Sequence, residues 1–384
     1  MCSWRDVTSR TRLALGLMTP RHLQVRRALL IGSIAAVAST GCVAQTADEG
    51  SSAEALSQGP IHSYTVTDLG TLGGATSQAT GVRDNSIVGL SRAPDGIIHA
   101  TLWRDGASVD LGTLAPGQRS IAADVVDDSY VVGFALNADG FSRAFFWAEG
   151  VMRDLGTLGG VIGRANRMNH QLGVVGFSSL ANGQIHAALW EEPTGWPLDL
   201  GTLGGAFSAA TGINDRGEIS GFGTDTAGVE YPVVWDANHE PHSLGALASA
   251  GYPNGRAIRI NERGDVVGWV ATQPGIVEVV FGNTHAFYYA QGTMTDLGTL
   301  GGTNSRGYGI NNHGQVVGQA ETATGALHSF LWQDGAMVDL NSRIPANSGW
   351  VLNTTFGIAD DGRIVGQGVH NGAAHAYVLT PVED

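Results

Sequence analysis

The chain has 384 residues, of which 56 are glycine, 43% are apolar and only 15% are charged. Glycine is about twice as common as usual, and the apolar share is too high for a disordered chain, which together fit many short strands joined by tight turns. All 21 basic residues are arginine and the formal charge is −14; the first 42 residues hold six arginines and one aspartate, which leaves −19 on the remainder. A body so acidic, with no basic stripe, argues against a nucleic-acid partner.

The first element along the chain is an export signal, expected over residues 1–42. Arg21, Arg26 and Arg27 precede the apolar run "ALLIGSIAAVAST", Ala28 to Thr40. Thirteen residues are short for a bilayer span but suit the apolar region of a secretory signal. Small residues then lead to Gly41-Cys42, an ending that resembles the lipobox of bacterial lipoproteins and marks Cys42 as the lipid attachment site. Ordinary cleavage after Ala38 or Ala44 is the alternative. The only other cysteine, Cys2, lies in the removable segment, so the body has no disulfide to form. Residues 43–62 are rich in Ala, Ser, Gln and Glu and read as a flexible tether.

The body, residues 63–384, begins with "YTVTDLG", Tyr64 to Gly70, and its last three letters open a recurrent phrase. "DLGTLGG" occurs at Asp68–Gly74, Asp154–Gly160, Asp199–Gly205 and Asp296–Gly302, with relaxed copies starting at Asp110, Ser243 and Asp339. Successive spacings are 42, 44, 45, 44, 53 and 43 residues. Between these phrases recur an Ile-Asn-x-x-Gly turn, an apolar strand ending in glycine, and a strand of the type His-Ala-Phe-Leu-Trp. Asp105-Gly106 and Asp334-Gly335 are two-residue hairpin signals. Each repeat therefore reads as four short strands, the size of a propeller blade. A β-helix would repeat at shorter spacing, and a helical solenoid would need helical periodicity.

The expected fold is all-β: a seven-bladed β-propeller of four-stranded blades. The last repeat ends after its third strand, "HAYVLTP", and "YTVTDLG" is a fourth strand with no third before it. An N-terminal strand completing the last blade would close the ring and remove its open edge.

Aligning the repeats brings out a pairing. The first residue of the His-Ala-Phe strand and the acid of the following fourth strand combine as His99 with Asp110, Arg143 with Asp154, His186 with Asp199, His285 with Asp296 and His328 with Asp339. Through closure, His375 combines with Asp68. The repeat that has Tyr231 in place of the base has Ser243 in place of the acid. A two-residue turn makes such residues diagonal neighbours on one face, within hydrogen-bond reach. Histidines repeated in this way are spread around a circle, whereas a metal needs three or four converging ligands, so structural pairs are expected and no metal or other cofactor.

The repeats, above all "THAFYYAQGTMTDLGTLGG", resemble the HAF-repeat family of bacterial extracellular proteins over Tyr64 to about Pro381. That resemblance implies an exported repeat protein and supplies no activity. Recognition is expected where the copies differ, in the loop entering each first strand. One aligned position there holds Arg164, Arg256 and Arg306, which could receive a carboxylate or sulfate at one mouth of the channel, with Tyr252 and Trp350 as stacking platforms for sugars. The fifth repeat carries about nine extra residues around Thr272 to Thr284, a longer loop that could overhang a face. No His-Glu-x-x-His or Gly-x-Ser-x-Gly motif and no body cysteine offers a catalytic centre. The expectation is a lipid-anchored, envelope or extracellular, non-catalytic propeller that binds an extracellular glycan or protein and meets the membrane only through its lipid. The alternatives are a polysaccharide-cleaving lyase or glycosidase on the same scaffold, and a purely structural envelope protein.

Overall fold

The computed structural model describes residues 63–193, 195–247, 251–273 and 283–382. The export signal with Cys42, the tether at 43–62 and most of the fifth repeat's insertion lie outside the described residues. The described residues form 28 strands and one short 3-10 turn, Leu340–Arg343, with no α-helix. None of their helices is long and apolar enough to cross a membrane. The strands make five four-stranded sheets and one of eight, in which two four-stranded groups meet at a single parallel pair, Ile185 with Phe207.

The first repeat shows how the sequence makes such a sheet. Ser77–Arg83, Ser86–Arg92, Ile98–Arg104 and Ala107–Asp110 pair in order, all antiparallel. The Asp105-Gly106 turn has positive φ at both residues, 52° and 75°, which sets the register Trp103 with Ser108 and Thr101 with Asp110. Residues 100–103 of the third strand are all buried while the fourth strand is exposed throughout. The middle strands are thus covered on both faces by neighbouring sheets, and the fourth faces water.

The core sits between successive sheets. One cluster joins Val126, Val132 and Phe146 of the second repeat to Met168, Val174 and Trp190 of the third. Trp190 and Trp235 are fully buried, and each indole N–H donates at 2.8 Å to the carbonyl of the leucine in the preceding "DLG", Leu155 or Leu200. The second-strand glycine is required by packing: at Gly89, Gly133, Gly176, Gly221, Gly268, Gly318 and Gly366, a Cβ would lie 1.9–2.1 Å from a first-strand carbonyl oxygen.

The polar letters of the heptapeptide each have a physical task. The aspartate's Oδ1 accepts the N–H of the glycine two residues on, as from Gly70, Gly156, Gly201 and Gly298, each at 2.8 Å. The threonine hydroxyl donates to the final glycine's carbonyl, 2.7–2.9 Å away, which closes the crossing to the next sheet. A buried serine then links the sheets. Ser77 Oγ accepts from Ala376 N and donates to Gly70 O, and Ser120, Ser208 and Ser305 repeat the arrangement.

Tyr64–Asp68 pairs antiparallel with Ala373–Pro381, from Tyr64 opposite Pro381 to Asp68 opposite Tyr377. That strand is the fourth of the sheet containing Trp350–Ile358 and Ile364–His370. Ser77–Arg83, the first strand of the first repeat, packs against all three strands of the last one.

Candidate functional site

The base–acid positions come first, because they hold half of the body's histidines. His99 Nδ1 lies 2.7 Å from Asp110, Arg143 Nε 2.8 Å from Asp154, His186 Nδ1 2.9 Å from Asp199, His285 Nδ1 2.8 Å from Asp296 and His328 Nδ1 2.6 Å from Asp339. His375 Nδ1 is 2.8 Å from Asp68 across 307 residues of sequence. Each aspartate therefore serves both base and turn: Oδ1 accepts the turn N–H, and Oδ2 meets the base, with Oδ1 shared as well at His186 and His285. Burial alone would raise the Asp296 carboxyl, but the bonds from His285 and Gly298 N–H hold it below its ordinary value. In the fourth repeat the acid has moved: Tyr231 OH donates to Asp225 of the second strand, 3.3 Å away. Asp68 receives a second histidine, His370, at 2.9 Å.

A different feature draws the repeats together at their centre. First strands have one edge with no strand beside it, and its carbonyls need partners. Side chains of neighbouring repeats supply them. Thr80 and Thr211 hydroxyls donate to Ala122 O and Ala257 O, and Asn166 to Ala210 O. Arg259 reaches the carbonyls of Tyr308, Thr80 and Phe356, which belong to three other repeats. Arg167 donates to Ala123 O; its guanidinium is buried and pushed down to about 10 by desolvation, with Asp124 opposing and Arg83 adding to the shift. These arginines floor a cavity of about 410 Å³ to which all seven repeats contribute residues.

The rim is built by the Ile-Asn-x-x-Gly turns. Asn169, Asn214, Asn261 and Asn311 each donate from Nδ2 to a backbone carbonyl of the next repeat's turn at 3.1 Å. The residue after each asparagine extends this ladder outward. His170 N–H donates to Asp215, Asp215 N–H to Glu262, Glu262 N–H to Asn312 and Asn312 N–H to Asp360, at 2.8–3.0 Å. In the first two repeats Arg83 and Val126 replace the asparagine, and the following residues are Asp84 and Asp127. Asp84, Asp127 and His170 bring their polar atoms within 4.8 Å of one another. Arg363 of the last repeat donates to the Asp84 carbonyl. The aligned positions thus carry five carboxylates, one histidine and one amide, a rim suited to accepting hydrogen bonds.

The arginines singled out from the sequence stand six positions upstream of this rim on the same strands. Arg164 stacks 4.2 Å from the Phe134 ring and donates to Ser142 Oγ; burial, with Arg119 nearby, pushes its guanidinium down. Arg256 lies 4.1 Å from the Phe222 ring and forms a two-point ion pair with Glu230. Arg306 is 5% exposed and sits 4.7 Å from the Trp269 ring. Each guanidinium face is thus taken by an aromatic ring of its own fold. Trp350 is buried, stacked on His370 at 4.5 Å with Tyr377 at its edge. Tyr252 is half-buried in the loop before Gly255–Ile260. Sequence reasoning missed Trp196, an indole 86% exposed in the third repeat's last turn, and the rim itself. The asparagine and the acid after it were visible in the repeats, but nothing local showed that they converge.

No protein-family model matches the chain, and a search of curated proteins finds no match. Solved structures do match. The puromycin-hydrolysing peptidase of Mycobacterium tuberculosis aligns with a TM-score of 0.52 at 13% identity, over 83% of this chain and 53% of that one. The β-propeller domain of the Trilobed protease from Pyrococcus furiosus gives 0.52 at 8% identity, over 84% of this chain and 96% of that domain. A puromycin hydrolase gives 0.51 at 13% identity, over 84% of this chain and 54% of that one. The chain therefore spans about half the length of the two hydrolases, and at these identities the likeness is one of fold.

The matches correct the expectation of a non-enzyme. It rested on missing local motifs, yet arrays of this fold stand within peptidase chains. The physical reason is that a repeat scaffold can assemble polar groups from separate repeats, as Asp84, Asp127 and His170 of three successive repeats are here, and no local motif records such a meeting. The chain is an all-β protein whose four-stranded sheets follow the β-propeller plan.

Proposed function

We propose that the chain is a closed seven-bladed β-propeller that is exported, held at the cell envelope by lipid on Cys42, and binds an extracellular glycan over its central cavity. The likeness of its repeats to the HAF-repeat family supports the export reading, as do the arginines and apolar run before Cys42. Pairing of Tyr64–Asp68 with the last hairpin, and packing of the first repeat on the last, support closure.

The observation that carries the ligand reading is the rim of Asp84, Asp127, His170, Asp215, Glu262, Asn312 and Asp360 above a cavity of about 410 Å³. Carboxylates and amides accept from sugar hydroxyls, and the cavity matches the size of small-ligand sites. The rim's sign repels anions, so a neutral or amino-bearing glycan fits it better than a sulfated one. A glycan array followed by calorimetry tests the reading, with mass spectrometry of the bound sugar to detect any cleavage. Binding that is lost in Asp84→Asn/Asp127→Asn and kept in Arg164→Ala supports the rim. An array without a hit, or binding indifferent to the rim variants, overturns it; capture of an extracellular protein through the same rim would replace the glycan by a protein ligand.

A further inference from the structure

In five repeats the acid of the fourth strand meets one base, whereas Asp68 meets two histidines on one oxygen. His370 Nδ1 and His375 Nδ1 lie 2.9 and 2.8 Å from Asp68 Oδ2, and the three ligand-type atoms fall within 4.8 Å of one another. The last repeat is built differently to allow this. Its second and third strands are joined by the two-residue turn Asn371-Gly372, with φ of 51° and 87°, so pairing runs to His370 opposite Ala373. The same connection in the first repeat spans Arg92 to Ile98. His375 pairs with Gly368, which puts both imidazoles on one face of the hairpin. A Cβ at Gly368 would lie 2.7 Å from Val351 O and 3.1 Å from Trp350 Cε3. Its absence makes room for the indole, which stacks on His370 at 4.5 Å and 6° and fixes that ring.

We propose that Asp68, His370 and His375 form a binding site for a divalent first-row transition metal, zinc foremost, that clips the chain's first strand to its last hairpin. Metal–ligand bonds of about 2.0–2.1 Å at angles between about 90° and 109° separate ligand atoms by about 2.9–3.4 Å. The two histidine–aspartate separations stand at or just below the short end of that range, so small side-chain rotations admit the ion. Two imidazole nitrogens and a carboxylate suit zinc and its neighbours, and exclude the all-oxygen preference of calcium and magnesium. The side chains are 23–27% exposed, which leaves the remaining coordination positions open to water or to a ligand atom.

The surrounding groups meet the needs of such a site. Asp68 Oδ1 is held by Gly70 N–H at 2.8 Å, so Oδ2 stays directed at the histidines. Metal binding at Nδ1 moves each ring proton to Nε2. His370 Nε2 is 3.1 Å from the Asn371 side-chain amide, which by turning presents its oxygen to that N–H, the outer bond that metal-bound histidines use. Because the three ligands come from both ends of the body, the ion stabilises the pairing of those ends in proportion to its free concentration. None of this depends on what the central cavity binds.

Cobalt(II) titration of the full chain in detergent, followed by visible absorption, tests the site. One equivalent should bind with d–d bands, zinc should displace it, and zinc should raise the melting temperature. His370→Ala should weaken binding by more than about 100-fold, since a lost ligand costs more than the 10–100-fold of an outer-shell partner. The variant keeps the His375–Asp68 pair, so it should fold as the parent does without metal. His99→Ala and His170→Ala should bind as the parent does. Absence of d–d bands overturns the proposal, as does binding unchanged in His370→Ala or lost in His170→Ala, which would place the ion at the rim cluster.

Discussion

Removing the Asp68 carboxylate by Asp68→Ala should destabilise the protein more than the same change at any aspartate with one basic partner. Asp68 accepts three hydrogen bonds, from Gly70 N–H at 2.8 Å, His375 at 2.8 Å and His370 at 2.9 Å. Bonds to a charged group contribute about 1.5–3 kcal/mol each when fully buried. With a side chain 27% exposed, solvent screening reduces this to about 1 kcal/mol per bond, or about 3 kcal/mol in all. Asp110 has Gly112 N–H and one histidine and is 43% exposed, so Asp110→Ala should cost about 1–2 kcal/mol. Urea unfolding at pH 7 with EDTA present compares the two without any metal contribution. The pH dependence has a definite sign. Burial raises the Asp68 carboxyl, but the bonds from His375, Gly70 and His370 outweigh it and leave the group below its ordinary value. A depressed carboxyl stabilises the fold above its unfolded value near about 4, and that contribution is lost as pH falls through the folded value. The gap between parent and Asp68→Ala should therefore be full at pH 7 and narrow below about pH 4. Asp68→Ala no more damaging than Asp110→Ala, or a gap that widens in acid, would refute the reasoning.

Gly221→Ala should cost at least about 2 kcal/mol by thermal or urea unfolding, because the new Cβ would lie 2.1 Å from Ala209 O and 2.8 Å from the Trp235 ring. Gly96→Ala has open space, so its cost should be the smaller one of a positive φ alone. Asn261→Ala removes the bond to Asn311 O and orphans the N–H groups of Arg263 and Asp265; a loss of about 2–3 kcal/mol is expected from the same assays. Trp235→Ala should cost about 3–5 kcal/mol through the cavity it leaves, and Trp235→Phe less. Cys42→Ala should release the protein from membranes and abolish incorporation of labelled fatty acid; a parent that is soluble and unlabelled would rule out the lipid anchor.

Much of the architecture was written in local chemistry. Asp-Gly dipeptides set hairpin registers, apolar runs marked the strands of each repeat, and a phrase repeated every 42 to 53 residues required one sheet crossing to be made again and again. Those signals act between neighbours along the chain or across one hairpin, so they survive in a one-dimensional reading. The pairing of His99 with Asp110 is of this kind, since a two-residue turn places both. What only the tertiary structure decided is which distant groups meet. The stacking of Arg164 and Arg256 on aromatic rings of the preceding repeats, and the rim from Asp84 to Asp360, each depend on the distance between sheets. The repeat period cannot supply that distance, because it follows from how side chains of particular volume fill the space between two twisted sheets. His370 makes the point most sharply. Along the chain it is one residue before an Asn-Gly turn, and only the return of Tyr64–Asp68 to the last hairpin brings a carboxylate from 302 residues away to its ring.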